Sequence, residues 1–109
     1  MPLYGAFYLK FMKNYQYQKV NRDTNHKEIV GLFKKMGCSV LDLAAVGGGC
    51  PDILVGLNGK TMLVEIKSKN GKLNNKQIEF SKNWKGNLAV CRYNCDVEYV
   101  IKLLKTNEK

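Results

Sequence analysis

The chain has one histidine, His26, and only nine acidic residues against eighteen Lys and Arg among 109. With no Ser-His-Asp or Cys-His arrangement to be built, nucleophilic catalysis of the triad kind has no support. His26 reads as a surface residue near a helix start. The four cysteines, Cys38, Cys50, Cys91 and Cys95, include no C-x2-C pair, so a structural zinc is not expected. Cys38 and Cys91 stand in apolar surroundings and read as buried thiols. Nothing suggests secretion, and a reducing cytoplasmic compartment is the expectation. Long apolar runs are also missing: Lys10 and Lys13 interrupt the apolar start, which argues against a signal peptide or a membrane span. Gly47-Gly48-Gly49 is not followed by Gly-Lys-Ser/Thr, so it is not a Walker loop. No internal repeat or low-complexity tract is present.

What the chain does have is positive charge. A formal +9 on 109 residues points to a polyanionic partner, nucleic acid before an anionic membrane surface, although a merely basic soluble protein shares the feature. The charge is uneven. Residues 1–22 carry Lys10, Lys13, Lys19 and Arg22 and no acid, and residues 67–85 carry Lys67, Lys69, Lys72, Lys76, Lys82 and Lys85 against Glu79 alone. Length fits one domain, and about 45% hydrophobic residues suffice for a single modest core.

Residues 1–20 form a basic, aromatic extension ahead of a domain over 21–109. Tyr4, Tyr8, Phe11 and Tyr15 fall at helical spacing, a face suited to packing on the domain or joining two protomers, and less to stacking on bases. Met12 is a second candidate start. Further on, Thr24 or Asn25 is placed to cap a helix with Ile29, Phe33 and Met36 on its inner face and Gly37 as its stop. Cys38–Leu43 reads as a strand. Asp52–Leu57 and Lys60–Lys67 read as two strands joined by the Asn58-Gly59 turn. Leu73, Gln77, Phe80 and Trp84 share one face of a second helix, with Phe80 and Trp84 expected in the core. Leu88–Arg92 is a further strand. Asp96 is expected to cap a last helix whose Val97, Val100, Ile101 and Leu104 face inward. The order helix, three strands, helix, strand, helix predicts an α/β (α+β mixed) fold, a mixed sheet flanked by helices.

A two-residue turn fixes the hairpin register. Leu57 then faces Lys60, Leu54 faces Leu63, and Asp52 falls opposite Glu65, where directly facing Cβ atoms lie about 4.5–5.5 Å apart. Glu65 and Lys67, two residues apart on one strand, point the same way. Two carboxylates this close repel unless a cation lies between them or one is protonated. Hard oxygen donors suit Mg2+ or Mn2+, which also bind phosphate oxygens and acidify a bound water. Lys67 beside them is placed to stabilise the charge of a phosphoryl transition state. The same three residues also read as a cross-strand acid pair relieved by a lysine on a solvated sheet face, and spacing alone does not choose.

Pro51-Asp52 followed by Glu65-Ile66-Lys67 resembles the PD-(D/E)xK nuclease signature. In the wider context, the stretches Asn25–Val30, Gly47–Gly56 and Val64–Lys67, with Gly71-Lys72-Leu73 and Gln77, resemble the virus-type replication-repair nuclease family (VRR-NUC), especially its small phage and bacterial stand-alone members. The likeness covers roughly residues 21–104. It implies a restriction-endonuclease-like core and a metal-dependent DNA endonuclease using Mg2+ or Mn2+. Asp52, Glu65, the backbone carbonyl of Ile66 and the helical acid Glu28 would be the metal ligands, Lys67 the catalytic lysine and Gln77 a positioning residue. It further implies a homodimer acting on branched or duplex DNA, in a bacterial cell or a phage-infected host. Two other readings compete with the enzyme: a non-catalytic nucleic-acid-binding module, and a partner-binding subunit working through the aromatic start.

Overall fold

The computed structural model describes residues 22–106, and the side chains from Asn25 onward. The aromatic extension over 1–20 lies outside these residues. Helix α1 (Arg22–Lys35) is followed by strands β1 (Ser39–Asp42), β2 (Ile53–Leu57) and β3 (Lys60–Ile66). Helix α2 (Asn75–Asn83), strand β4 (Leu88–Cys91) and helix α3 (Asn94–Lys105) complete the chain. The expected element order is the observed one.

Helix α1 stops where the sequence says it should. Gly37 takes φ +94, the Cys38 N–H reaches Phe33 O at 3.0 Å and the Gly37 N–H reaches Lys34 O at 3.0 Å. This is the Schellman arrangement, which needs a left-handed residue after the helix. Met36, expected on the inner face, sits at this terminus and is exposed. Asn25, expected as a cap, lies inside α1, which begins at Arg22.

The sheet has the order β1-β2-β3-β4, with β1–β3 antiparallel and β4 parallel to β3. Asn58 and Gly59 both have positive φ, 58 and 76, as a type I′ turn requires. The hairpin therefore holds the expected register, Leu57 against Lys60 and Leu54 against Leu63. Side-chain alternation then sends Ile53, Val55, Met62, Val64, Ile66, Ala89 and Cys91 to one face, where Ile29 and Phe33 of α1 and Val97, Val100, Ile101 and Leu104 of α3 cover them. Cys38 and Cys91 are buried, as their surroundings suggested. Leu41, Leu54, Leu63, Glu65 and Leu88 take the opposite face.

Two further expectations fail. Helix α2 buries none of its residues: Trp84 is 40% exposed and Phe80 only half-buried, the two rings stacking on each other at 5.5 Å. Their helical spacing marks a shared face, but that face is left partly open to solvent. Asp96 sits in the third position of α3 rather than at its cap, and reaches back to accept from the Arg92 and Tyr93 N–H groups at 2.7 and 2.9 Å. It still satisfies the helix start, from inside it. Burial pushes its carboxyl above the usual carboxylate range, and those two N–H groups oppose the push.

Candidate active site

Strand β3 and the loop between β1 and β2 deliver the acidic pair, and α2 braces it through Gln77. The loop between β1 and β2 opens with the Ala44 N–H on Asp42 Oδ1 at 2.8 Å and closes with the Cys50 N–H on Gly47 O at 3.1 Å. Asp52 follows. Its carbonyl accepts from the Leu43 N–H at 2.8 Å, and its Oδ2 accepts from the Ile66 N–H at 2.8 Å. Asp52 thus stays in the ladder on one side while its carboxylate bridges to β3 on the other. A strand residue's N–H and C=O leave the same edge, so the Ile66 carbonyl leaves β3 on the side from which its N–H reaches Asp52.

Glu65 is 3% exposed, a carboxylate on the end of the otherwise leucine-rich sheet face. A buried charge must be paired and hydrogen-bonded to be tolerated. Gln77 Nε2 donates to Glu65 Oε2 at 3.1 Å, and Lys67 Nζ lies 3.8 Å from the same oxygen. Gln77 is itself fixed: Asn74 and Gln77 form a reciprocal capping box, each side chain bonded to the other's N–H at 2.9 Å. Lys67 and Gln77 are brought onto Glu65, and Asp52 is brought onto the N–H of the next residue, Ile66. Glu28 is exposed on α1, and among the described residues no three His, Cys, Asp or Glu side chains group closely enough to hold one ion. Glu28 does not join Asp52 and Glu65 in this arrangement.

Further residues around the site were assigned no role there by the motifs, although Asn25, Gly49 and Cys50 lie within them. Asn25 is 3% exposed and its Nδ2 donates to the Lys67 carbonyl at 2.8 Å, so α1 holds the backbone of the lysine. Arg92 Nη1 donates to the carbonyls of Ser68, Lys69 and Gly71 at 2.5, 3.2 and 2.6 Å, pinning the segment between Lys67 and α2. Gly49 packs so tightly on α2 that a Cβ there would lie 2.3 Å from Lys76 O. Cys50 is half-buried, and its thiol is pushed above its usual range by burial first and then by the charges of Glu65 and Asp52. A contact to a residue far along the chain leaves no local periodicity, and only the glycine run and the buried-amide chemistry hinted at these roles.

The donor set fits a hard divalent cation. Asp52 and Glu65 bring two negative charges against one from the Lys67 ammonium, and every donor is an oxygen. Asp52 and Glu65 would hold such a cation, which would offset the repulsion between two neighbouring carboxylates.

The family model for the archaeal Holliday junction resolvase (Hjc) matches residues 18–109. No curated protein and no solved structure matches the chain. Within the PD-(D/E)xK superfamily, the shown affiliation is therefore with the junction resolvases, while the VRR-NUC likeness rests on the motif residues alone. Among the described residues no helix is long and apolar enough to cross a membrane. The chain belongs to the archaeal Holliday junction resolvase family, and its activity is that of a structure-selective, metal-dependent DNA endonuclease.

Proposed function

We propose that the chain cuts four-way DNA junctions by hydrolysis at the Asp52, Glu65 and Lys67 cluster, with Mg2+ or Mn2+ held by Asp52, Glu65 and the Ile66 carbonyl. The observation that carries this reading is the convergence of Lys67 and Gln77 on one oxygen of a buried glutamate. The bound cation would polarise the scissile phosphate and lower the pKa of an attacking water. The residues of this chain do the rest. Asp52, fixed by the Ile66 N–H, and Glu65, fixed by Gln77, keep their carboxylates oriented before any ligand arrives. Lys67, its backbone tied to Asn25, presents an ammonium where negative charge builds on the phosphate oxygens. Glu28 is assigned as a further ligand by motif position alone, so Glu28→Gln is the substitution that decides its place. The same motif likeness is the sole support for a bacterial or phage setting, and residues 21–109 as one nuclease domain with residues 1–20 as an appendage is a reading of the same kind.

Resolving a four-way junction takes a cut in each of two strands, which asks for two active sites related by symmetry. We assign a homodimer on that ground, supported by the apolar side chains left open on β1 and the loop after it, Leu41 at 58% and Val46 at 64% exposure. Sedimentation of the protein with and without DNA tests the assembly. For the chemistry, labelled four-way, flapped and linear DNAs are incubated with Mg2+, Mn2+ or EDTA. Metal-dependent cutting that prefers the junction is expected. DNA bound yet never cut in any metal would leave a non-catalytic binding module instead.

A further inference from the structure

Helix α2 is an unusual element for a 109-residue protein. It buries none of its side chains, yet it ends in two stacked rings, Phe80 and Trp84, 5.5 Å apart and inclined by 17°. What holds it is polar: the capping box at Asn74, the Gln77 bond to Glu65 and the close approach of Gly49. Hydrophobic burial does not explain why the rings are there.

Beside the rings runs a groove of about 550 Å³ lined by Gly48, Asn75, Lys76, Glu79, Phe80, Asn83 and Trp84. Its size lies within the roughly 300–1,000 Å³ of small-molecule sites. Its chemistry is a flat apolar wall with a hydrogen-bonding rim: the Asn75 and Asn83 amides, the Glu79 carboxylate that accepts from Asn83 Nδ2 at 3.3 Å, and the Lys76 ammonium. We propose that this groove takes an unstacked nucleobase of the DNA substrate, with Trp84 and Phe80 as the stacking wall.

A nucleobase has the matching form, two apolar π-faces and a polar edge, and every base stacks on an aromatic ring whatever its sequence. Lys76 lines the groove, and Lys72, Lys82 and Lys85 stand close by in the sequence, so the surroundings suit the phosphates attached to that base. A second copy of this chain is the other occupant to consider, but the apolar side chains assigned to a partner copy, Leu41 and Val46, lie on β1 and the loop after it, whereas this groove carries Lys76. The position gives the site a use. Gly48 belongs to the loop that delivers Asp52, and Gln77 on the same helix holds Glu65, so a base captured here anchors the strand within reach of the cutting site. Paired duplex hides its base faces, whereas a branch point exposes them. The groove therefore favours DNA with unpaired or easily unstacked bases, an inference that rests on DNA being the substrate.

Trp84 is the chain's single tryptophan, so its fluorescence reports the ring that walls this groove, whose other side borders Leu54, Leu63 and Asn87. The protein is titrated in EDTA with single-stranded DNA and with a fully paired hairpin of equal phosphate count. Affinities of wild type, Trp84→Leu and Trp84→Phe are measured alongside, with circular dichroism to check the fold. We expect the single strand to quench Trp84 much more than the hairpin does. We expect Trp84→Leu to bind single strand about five- to hundredfold more weakly, with Trp84→Phe recovering most of the loss. Equal quenching by both DNAs, single-strand affinity unchanged in Trp84→Leu, or quenching that follows protein concentration without DNA would each overturn the proposal. Junction cleavage in Mg2+ is scored separately: its absence in wild type defeats the nuclease reading, and unaltered stacking would still stand.

Discussion

Adding one carbon at Gly49 should disable catalysis while leaving the chain folded. A Cβ at this position would stand 2.3 Å from Lys76 O, 2.6 Å from Lys76 C and 3.1 Å from Gln77 N. All three are backbone atoms, so no side chain can swing aside. Ordinary contact begins at 3.4 Å, so α2 must withdraw by about 1 Å at its first turn. That turn carries Gln77, whose amide bonds Glu65 at 3.1 Å, and an outward shift of this size breaks the bond. Misplacement by about 1 Å near a reacting centre costs on the order of 10²-fold in rate. Two comparisons separate close approach from backbone strain. Gly48 also has positive φ, 64, but a Cβ there meets nothing within 4 Å, so Gly48→Ala carries the conformational cost alone, about 1–2 kcal/mol. Gly31, with nothing within 4 Å and ordinary φ, should accept Ala freely. Single-turnover cleavage of a four-way junction is the assay, with thermal unfolding beside it. The prediction is a fall of roughly 10- to 100-fold for Gly49→Ala, a lesser one for Gly48→Ala and none for Gly31→Ala. Because the effect runs through Gln77, Gly49→Ala should add little to Gln77→Ala. Wild-type cleavage by Gly49→Ala, or full additivity with Gln77→Ala, would refute the reasoning.

Three other perturbations follow from the same contacts. Asn25→Ala leaves the Lys67 carbonyl without its donor and should cost about 1–3 kcal/mol in denaturant unfolding; Asn25→Asp, which can set an acceptor against that carbonyl, should cost more, and an unchanged midpoint in both would discount the contact. Arg92→Lys loses the planar guanidinium over three carbonyls, so amide exchange across residues 68–72 should accelerate and cleavage should fall, while protection equal to wild type would show the loop holds itself. Asp96 gives a pH dependence: its folded pKa is raised, so the folded state binds the proton more tightly than the unfolded chain does. Its contribution is then most favourable below about pH 3.9 and declines as pH rises through the elevated folded value. The stability of wild type relative to Asp96→Asn should therefore shrink across that interval, and a difference that grew with pH would reverse the assignment.

Much of the site was legible because it lies on one hairpin. Asn58-Gly59 is a turn with a fixed length, and the length fixes the register as far as Ile53 against Val64; just beyond it Asp52 accepts from the Ile66 N–H, and Lys67 Nζ lies 3.8 Å from Glu65. Gly37 likewise marked the end of α1 through the φ it must adopt. The failures are all contacts whose partner is distant or whose burial the pattern does not reveal. Asn25 looked like a cap because its chemistry suits one, but its partner, the Lys67 carbonyl, stands 42 residues away just past β3. Phe80 and Trp84 have the spacing of a core face, and spacing cannot say whether anything covers that face. Asp96 was placed at the helix start correctly in purpose and three positions wrongly in register, since an acid can serve the first turn from its inside. Glu28 stands apart from these: it came from motif position, is exposed on α1, and its place as a ligand is what Glu28→Gln tests.

The central claim is that Asp52, Glu65 and Lys67 cut DNA as one unit. Its most direct test is single-turnover junction cleavage in Mg2+ by wild type, Asp52→Asn, Glu65→Gln and Lys67→Ala, with junction affinity measured in EDTA for each. The account predicts that all four proteins bind the junction, that wild type cuts it, and that each variant loses about 10²-fold or more in rate. Metal-dependent cleavage surviving in Glu65→Gln at the wild-type rate would contradict it, and would move the chemistry to another part of the molecule.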